Sequence, residues 1–205
     1  PKKMKDEVLW IRTKFLLPLL VNCIAYLTQN EFDNDTQTIH GIPGVNITVK
    51  DFGGKKSVDY IVKTKTGKFS FIDCFGSMIN YFENRGYEVG KDFFVASYDW
   101  RIAPLFIDDY WLQLRQLIEK VYYQSNGQKV TLVGFSMGCF MIQQFLASEK
   151  LIKNSQNQTI NGRPIWTSIK NPIIDESWKE KYIEKVVFIA PSIGGTFKVF
   201  DGMVR

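Results

Sequence analysis

A strand, a tight turn and a helix follow one another within residues 129–149, and this order constrains the fold more than any other stretch. Residues 130–133 form a short, β-prone apolar run, and Gly134-Phe135-Ser136-Met137-Gly138 follows at once. The next apolar residues have helical spacing: Cys139, Met141, Ile142, Phe145 and Leu146. A Gly-x-Ser-x-Gly turn in this context is typical of a nucleophile elbow. We therefore predict that Ser136 is a catalytic nucleophile; the alternative is an incidental serine in an ordinary crossover.

The glycines and the start of the helix have physical roles in such a turn. We expect Ser136 to have a strained backbone, and side chains at Gly134 and Gly138 to clash where strand and helix nearly touch. The free N–H groups at the helix N-terminus are expected to point toward Ser136, where an oxyanion would form.

Length and composition exclude several classes of protein. A chain of 205 residues that is 45% hydrophobic can form one domain with a sizeable core. The net charge is +5, but the lysines are dispersed and no arginine-rich stripe accompanies them, which favours a solvated surface over a nucleic-acid site. The three cysteines have no metal-ligand spacing, and we expect neither a metal nor a cofactor. No apolar run reaches the roughly 18 residues that a membrane-spanning helix needs.

Alternating strand and helix patterns predict an α/β fold, with a mostly parallel sheet and helices on both faces. The predicted strands are residues 45–52, 92–100, 130–133 and 185–191, and residues 57–62 are either a short strand or the start of a loop. The predicted helices after the first strand are residues 69–82, 105–125, 139–146 and 178–182, and Gly86 is the expected stop of the first of them. The polar residues 151–175 predict a long surface insertion.

The apolar residues 8–27 allow two interpretations. Pro18 should break a helix here, and Arg12 and Lys14 lie beside the apolar side chains. The segment is either a helix packed on the core or an apolar surface that contacts lipid.

A serine nucleophile needs a base, and the sequence does not supply one in the usual order. In α/β-hydrolases the serine is followed by an acidic residue and then by a histidine. The only histidine is His40, which precedes Ser136 and is predicted to lie in a surface loop. The chain is therefore expected either to lack the last strands of the fold, which its ending favours, or to be a complete non-catalytic protein.

Three Asn-x-Thr sequons mildly favour a secretory route: Asn34-Asp35-Thr36, Asn46-Ile47-Thr48 and Asn157-Gln158-Thr159.

Four further stretches complete a recognisable pattern. Residues 97–104 read Ser-Tyr-Asp-Trp-Arg-Ile-Ala-Pro, residues 43–45 read Pro-Gly-Val with Phe52-Gly53 downstream, and residues 190–195 read Ala-Pro-Ser-Ile-Gly-Gly. Residues 10–23 include Leu-Leu-Pro-Leu. With the Gly-x-Ser-x-Gly turn, these stretches resemble the lecithin–cholesterol acyltransferase family, which includes lysosomal phospholipase A2 and the phospholipid:diacylglycerol acyltransferases. The Tyr-Asp-Trp-Arg-x-x-Pro signature is specific, and Asp51 departs from a family glycine.

The resemblance implies an α/β-hydrolase fold, incomplete here, over residues 28–205, with Ser136 as the acyl-accepting nucleophile. It places the oxyanion donors on the backbone N–H groups of Phe52 and Met137, where an inward-pointing Asp51 carboxylate would weaken the site. Residues 1–27 correspond to a membrane-binding, lid-like segment whose lipid contacts are Trp10, Leu16, Leu17 and Leu19. Asp99 and Arg101 are expected to form a structural ion pair near the site, with a catalytic role as the alternative.

The resemblance also implies a reaction. A phospholipid donates its acyl group to Ser136, and a sterol, another lipid alcohol or water then accepts it at a membrane or lipoprotein surface. The protein would be secreted, or reside in the lysosomal or endomembrane lumen with peripheral membrane association. The alternatives are a catalytically silent lipid-binding relative and another serine esterase or thioesterase of the same fold.

Overall fold

The computed structural model describes residues 25–33, 35–36, 38–63, 70–73, 75–153, 159–160, 163–164 and 166–195. It divides the chain into two compact units, Pro1–Ile102 and Ala103–Arg205.

The described part of the first unit contains two antiparallel strand pairs, one complete helix and the helical residues 25–27. Strands β1 (Asn30–Asp33) and β2 (Thr38–Gly41) form one pair, and β3 (Tyr60–Lys63) and β4 (Ser70–Asp73) form the other. Helix α1 (Gly76–Glu83) follows β4. The helix predicted over 69–82 is therefore wrong at its start, since residues 70–73 are a strand.

Gly86 ends α1 as the sequence predicts. Its φ is +92°, its N–H donates to the Glu83 carbonyl at 3.0 Å, and the Tyr87 N–H donates to the Phe82 carbonyl at 3.2 Å. These two bonds form a Schellman motif, and the rings of Phe82 and Tyr87 supply its apolar contact at a centroid distance of 5.4 Å.

The strands predicted at 45–52 and 92–100 are wrong, because neither range contains a regular strand. In the second range, Phe93 forms one isolated bridge with Val89, and the Val95 carbonyl accepts from the Gly53 N–H at 2.9 Å. A β-prone run becomes a strand only when another strand pairs along it. In the described part of this unit, no strand pairs along either range.

The second unit contains the parallel strand pair of the α/β pattern. After a 3₁₀ turn (Pro104–Phe106) come α2 (Asp108–Gln124), β5 (Val130–Phe135) and α3 (Met137–Leu146). Further along the chain, α4 (Glu176–Tyr182) leads directly into β10 (Ile183–Ile189), which pairs with β5 in parallel. The predicted order of strand and helix is confirmed here, whereas the larger, mostly parallel sheet predicted from the sequence is not seen among the described residues, where β5 and β10 are the one parallel pair of strands.

Aromatic side chains from three helices form the core of this unit. Trp111 of α2 stacks on Phe145 of α3, with ring centroids 5.9 Å apart. Trp178 of α4 contacts the same Phe145 edge-on at 5.8 Å. Helix α3 packs directly on β5, so this core supports the strand that ends at Ser136.

The region predicted to be a long surface insertion contains four short strands among its described residues. Strand β6 (Glu149–Lys153) pairs antiparallel with β9 (Trp166–Lys170), and two short strands between them, β7 (Thr159–Ile160) and β8 (Arg163–Pro164), also pair antiparallel. The chain then returns to α3 at Asn171. The amide of this buried residue donates to the carbonyls of Phe145 and Ala147 at 3.1 and 2.8 Å, which satisfies two groups at the helix C-terminus.

No helix in the described ranges is both long enough and apolar enough to cross a membrane.

Candidate active site

Ser136 connects β5 to α3 in a strained backbone conformation. Its φ is +50° and its ψ is −117°. A non-glycine residue in such a region costs about 1–3 kcal/mol and persists only where the surroundings hold it. The Ser136 N–H donates to the Ile189 carbonyl at 2.9 Å, so β10 supplies part of that restraint. The strain predicted for this turn is present.

The two glycines of the turn have different roles. A Cβ on Gly134 would lie 2.9 Å from both the backbone N and the Cα of Cys139, and 3.0 Å from the carbonyl carbon of Gly138. A side chain therefore cannot be accommodated at Gly134 without displacing the helix backbone. The same expectation for Gly138 is wrong, because a Cβ there meets no atom within 4 Å in the described part of the chain.

Cys139 forms hydrogen bonds to three backbone segments: the end of β5, Ser136 itself and the end of β10. Its side chain is fully buried, and its Sγ donates to the carbonyls of Gly134 at 3.2 Å and Ile189 at 3.5 Å. Its N–H donates to the Ser136 carbonyl at 3.1 Å. The sequence placed Cys139 only on the apolar face of the helix. Its bond to Ile189 depends on the pairing of β10 with β5, which no local pattern predicts.

The hydroxyl of Ser136 lies at the N-terminus of helix α3. Ser136 is the N-cap residue of α3, yet its side chain makes no capping hydrogen bond. The residue is half-buried, and its neighbours Phe135 and Met137 are 50% and 40% exposed. The positive end of the helix dipole stabilises negative charge that develops here. A hydroxyl in this position is suited to nucleophilic attack once a base removes its proton.

Residues that precede β10 in the chain form hydrogen bonds to side chains of α2. Arg115 donates from Nη1 to the Ile173 carbonyl at 2.7 Å and from Nε to Glu119 at 2.8 Å. The indole N–H of Trp178 donates to the same Glu119 oxygen at 2.7 Å. Partial burial opposes ionisation of Glu119, but the hydrogen bonds from Arg115 and Trp178 prevail and lower its pKa below the usual value.

His40 lies on the surface of the first unit. It is in strand β2, not in the predicted loop, and it pairs with Glu31 of β1. Its Nε2 is 2.6 Å from the hydroxyl oxygen of Thr38. The second unit contains no histidine, so Ser136 has no histidine base within its own unit.

Phe52 lies in a tight loop of the first unit that Asp51 begins. Asp51 has a φ of +62°, and its Oδ2 accepts from the Lys56 N–H at 2.9 Å. A Cβ on Gly54 would lie within 2.4–2.6 Å of the Asp51 carboxylate, so this carboxylate covers Gly54. Asp51, which stands where the family has a glycine, therefore uses its carboxylate to accept a hydrogen bond from its own loop.

Asp99 and Arg101 form the predicted ion pair. Arg101 donates from Nε to Asp99 Oδ1 at 2.9 Å and from Nη2 to Oδ2 at 2.6 Å, and its backbone N–H donates to Oδ1 at 3.0 Å. The side chains are only 9% and 16% exposed for Arg101 and Asp99. Among described residues, the buried Arg101 Nη1 has no hydrogen-bond partner. The three hydrogen bonds from Arg101 to the Asp99 carboxylate hold the turn between these two residues.

The predicted lipid contacts Trp10, Leu16, Leu17 and Leu19 lie outside the described residues. Within the described ranges, no group of three or more acidic, cysteine or histidine residues is placed to hold a metal ion.

Comparison with known proteins gives one consistent result. The sequence model of the family described as lecithin:cholesterol acyltransferase matches residues 5–204. The chain is 30% identical over 190 residues to the lysosomal phospholipase A and acyltransferase of Bos taurus, which covers 93% of the chain and 40% of that protein. It is 27% and 25% identical to the phosphatidylcholine-sterol acyltransferases of Mus musculus and Homo sapiens, again over 93% of the chain and 36% of each relative. The chain thus spans less than half the length of these relatives.

Proposed function

Because the chain belongs to the lecithin:cholesterol acyltransferase family, we propose that it carries the nucleophile of an enzyme that transfers acyl groups from phospholipids. The observation that carries this proposal is the strained backbone of Ser136 in a Gly-x-Ser-x-Gly turn between a parallel strand and a helix. Relatives named as phospholipase and acyltransferase support lipid acyl chemistry.

In the proposed reaction, Ser136 Oγ attacks the carbonyl carbon of a phospholipid ester while a base takes the hydroxyl proton. By resemblance to the family, the proposed oxyanion donors are the backbone N–H groups of Phe52 and Met137. Collapse of this intermediate breaks the bond to the lipid oxygen, which takes a proton and leaves as the lysophospholipid. The hydroxyl of a sterol, another lipid alcohol or water then attacks acyl-Ser136 and releases the serine.

We further propose that β5 and β10 are inner strands of an α/β-hydrolase sheet. Two facing pairs support this: Val133 lies opposite Val187, and Phe135 lies opposite Ile189. These four apolar side chains are 39–52% exposed, whereas parallel sheets of α/β proteins are normally covered on both faces. Asp99 and Arg101 act in this fold as a structural ion pair and not as catalytic groups.

Ser136→Ala tests the catalytic proposal in a polypeptide that also supplies the base. The rate of acyl release from phospholipid vesicles should fall by a factor on the order of 10⁴ or more, because the acyl-enzyme cannot form. Ser148→Ala is the control, since Ser148 is exposed and its hydroxyl bonds to Glu176 instead. Turnover that survives Ser136→Ala would contradict the proposal.

A catalytically silent lipid-binding relative is the alternative, and a polypeptide that binds phospholipid vesicles but releases no acyl group would identify it. The 205-residue chain alone is expected to hydrolyse esters negligibly, because residues 137–205 contain no histidine that could serve as the base for Ser136. Hydrolysis of a soluble ester by this chain, lost in Ser136→Ala, would refute that expectation. A thioesterase or carboxylesterase would instead be recognised by its preference for a soluble thioester or ester over phospholipid.

We also propose that the segment around Leu16 and Leu17 contacts lipid. The neighbouring Arg12 and Lys14 suit the headgroup level, while the leucines enter the acyl region. Each leucine contributes roughly 1.5–3 kcal/mol at full burial. In a polypeptide that also supplies the base, the combined change Leu16→Asp and Leu17→Asp should reduce vesicle binding at least tenfold and leave hydrolysis of a soluble ester unchanged. Equal vesicle binding, or a parallel loss of soluble-ester activity, would identify the segment as core.

The proposed location is the extracellular space or the lumen of the lysosomal and endomembrane system, with peripheral membrane association. The sequons and the similarity to the bovine lysosomal phospholipase A and acyltransferase support it.

A further inference from the structure

A Pro-Gly turn in the first unit leads into an exposed segment that no strand contains. The Val45 N–H donates to the Ile42 carbonyl at 3.1 Å, and Gly44 has a φ of +81°, as the third position of a type II turn requires. Ile42 is buried, so the turn is anchored at its start. Residues 46–50 then run on without regular secondary structure.

Exposure alternates along this segment. Val45 and Ile47 are half-buried, whereas Asn46 and Thr48 are exposed. The side chain of Asn46 makes no hydrogen bond within the described part of the chain, so its amide nitrogen is accessible. The asparagine and the hydroxyl of a sequon are therefore presented together on a surface loop, which is the context that asparagine-linked glycosylation favours.

We propose that Asn46 is a site of asparagine-linked glycosylation. The sugar donor is an oligosaccharide linked to a lipid diphosphate, and the transferase recognises Thr48. The amide nitrogen of Asn46 attacks C1 of the first sugar, the bond from C1 to the phosphate oxygen breaks, and the lipid diphosphate leaves. The nitrogen loses one proton, and no group is oxidised or reduced.

This inference goes beyond the proposed function, since it requires passage through the secretory lumen but no acyl chemistry. A chain with an inactive Ser136 would be modified in the same way. The other two sequon asparagines, Asn34 and Asn157, lie outside the described residues, so the inference is restricted to Asn46.

The test is translation of the chain, fused to a cleavable secretory leader, in the presence of microsomes. Only chains protected from added protease are analysed, which makes the result independent of later folding or release. Digestion with trypsin and an acid-specific protease gives a peptide of residues 36–50, in which Asn46 is the only asparagine. Glycan removal by an amidase in ¹⁸O water converts a modified asparagine to labelled aspartate, which mass spectrometry detects.

The expected result is labelled aspartate at position 46 in the natural sequence and in Thr48→Ser, which keeps the hydroxyl. Asn46→Gln and Thr48→Ala should each remove one glycan from the electrophoretic pattern, although Thr48→Ala retains the asparagine. An unlabelled Asn46 in protected chains, or a labelled one in Thr48→Ala at the natural level, would overturn the proposal.

Discussion

Gly134→Ala and Gly138→Ala form a matched pair that tests how tightly the turn at Ser136 is packed. A Cβ on Gly134 would lie 2.9–3.0 Å from three backbone atoms, two of them in Cys139. Carbon atoms attract each other best at about 3.5–4.0 Å, so the added methyl is too close by roughly 0.5–1 Å. Because those neighbours belong to the first turn of α3, no side-chain rotation can relieve the contact.

The two substitutions are expected to change the free energy of unfolding in opposite directions. Overpacking of this kind costs about 1–3 kcal/mol. Gly138 lies in α3 with no atom within 4 Å of its added Cβ among described residues, and its φ is not positive. Alanine there should stabilise the fold by about 0.4–1 kcal/mol, since it restricts the unfolded chain.

Urea unfolding of the two variants, followed by the fluorescence of the buried Trp111 and Trp178, measures the difference. A gap of about 2 kcal/mol with a slope of about 2 kcal/mol per M separates the midpoints by about 1 M. Gly134→Ala should unfold at the lower urea concentration. Equal midpoints, or a more stable Gly134→Ala, would refute the close approach of strand and helix at this position.

Two charged groups give further predictions. Arg115 and Trp178 lower the pKa of Glu119, so its stabilising contribution is fully present above about pH 4.5 and is lost as pH falls through its lower folded-state pKa. In urea titrations between pH 7 and pH 3, Glu119→Gln should therefore lose less stability on acidification than the natural chain, and parallel losses would contradict this. Arg101→Met should cost about 3–5 kcal/mol because it leaves the Asp99 carboxylate unpaired, and adding Asp99→Leu should recover part of that loss. Strictly additive losses in a double-mutant cycle would exclude a coupled pair.

The best sequence predictions concerned contacts between residues close in the chain. The sequence predicts a helix over residues 105–125, and α2 spans Asp108–Gln124 with Leu114 and Ile118 buried. The end of helix α1 at Gly86 likewise depends only on hydrogen bonds within residues 82–87. Such elements are readable from sequence because the interactions that form them lie within a few turns of one another.

Apart from the clash expected at Gly138, the failed predictions concerned strands. Residues 45–52 and 92–100 are β-prone but are not strands, whereas the polar region after α3 contains the antiparallel pair β6 and β9. Local composition indicates that a residue suits a pleated surface. It does not indicate whether a distant segment is available to pair with it.

The sequence by itself determined that a serine follows a short strand and precedes a helix, in a turn flanked by two glycines. Only the tertiary structure decided what holds that turn. The Ile189 carbonyl accepts from both the Ser136 N–H and the Cys139 thiol, although it lies about fifty residues downstream. This arrangement follows from the parallel register that sets Ile189 opposite Phe135. Register is a property of two strands together, so neither strand's sequence could specify it alone.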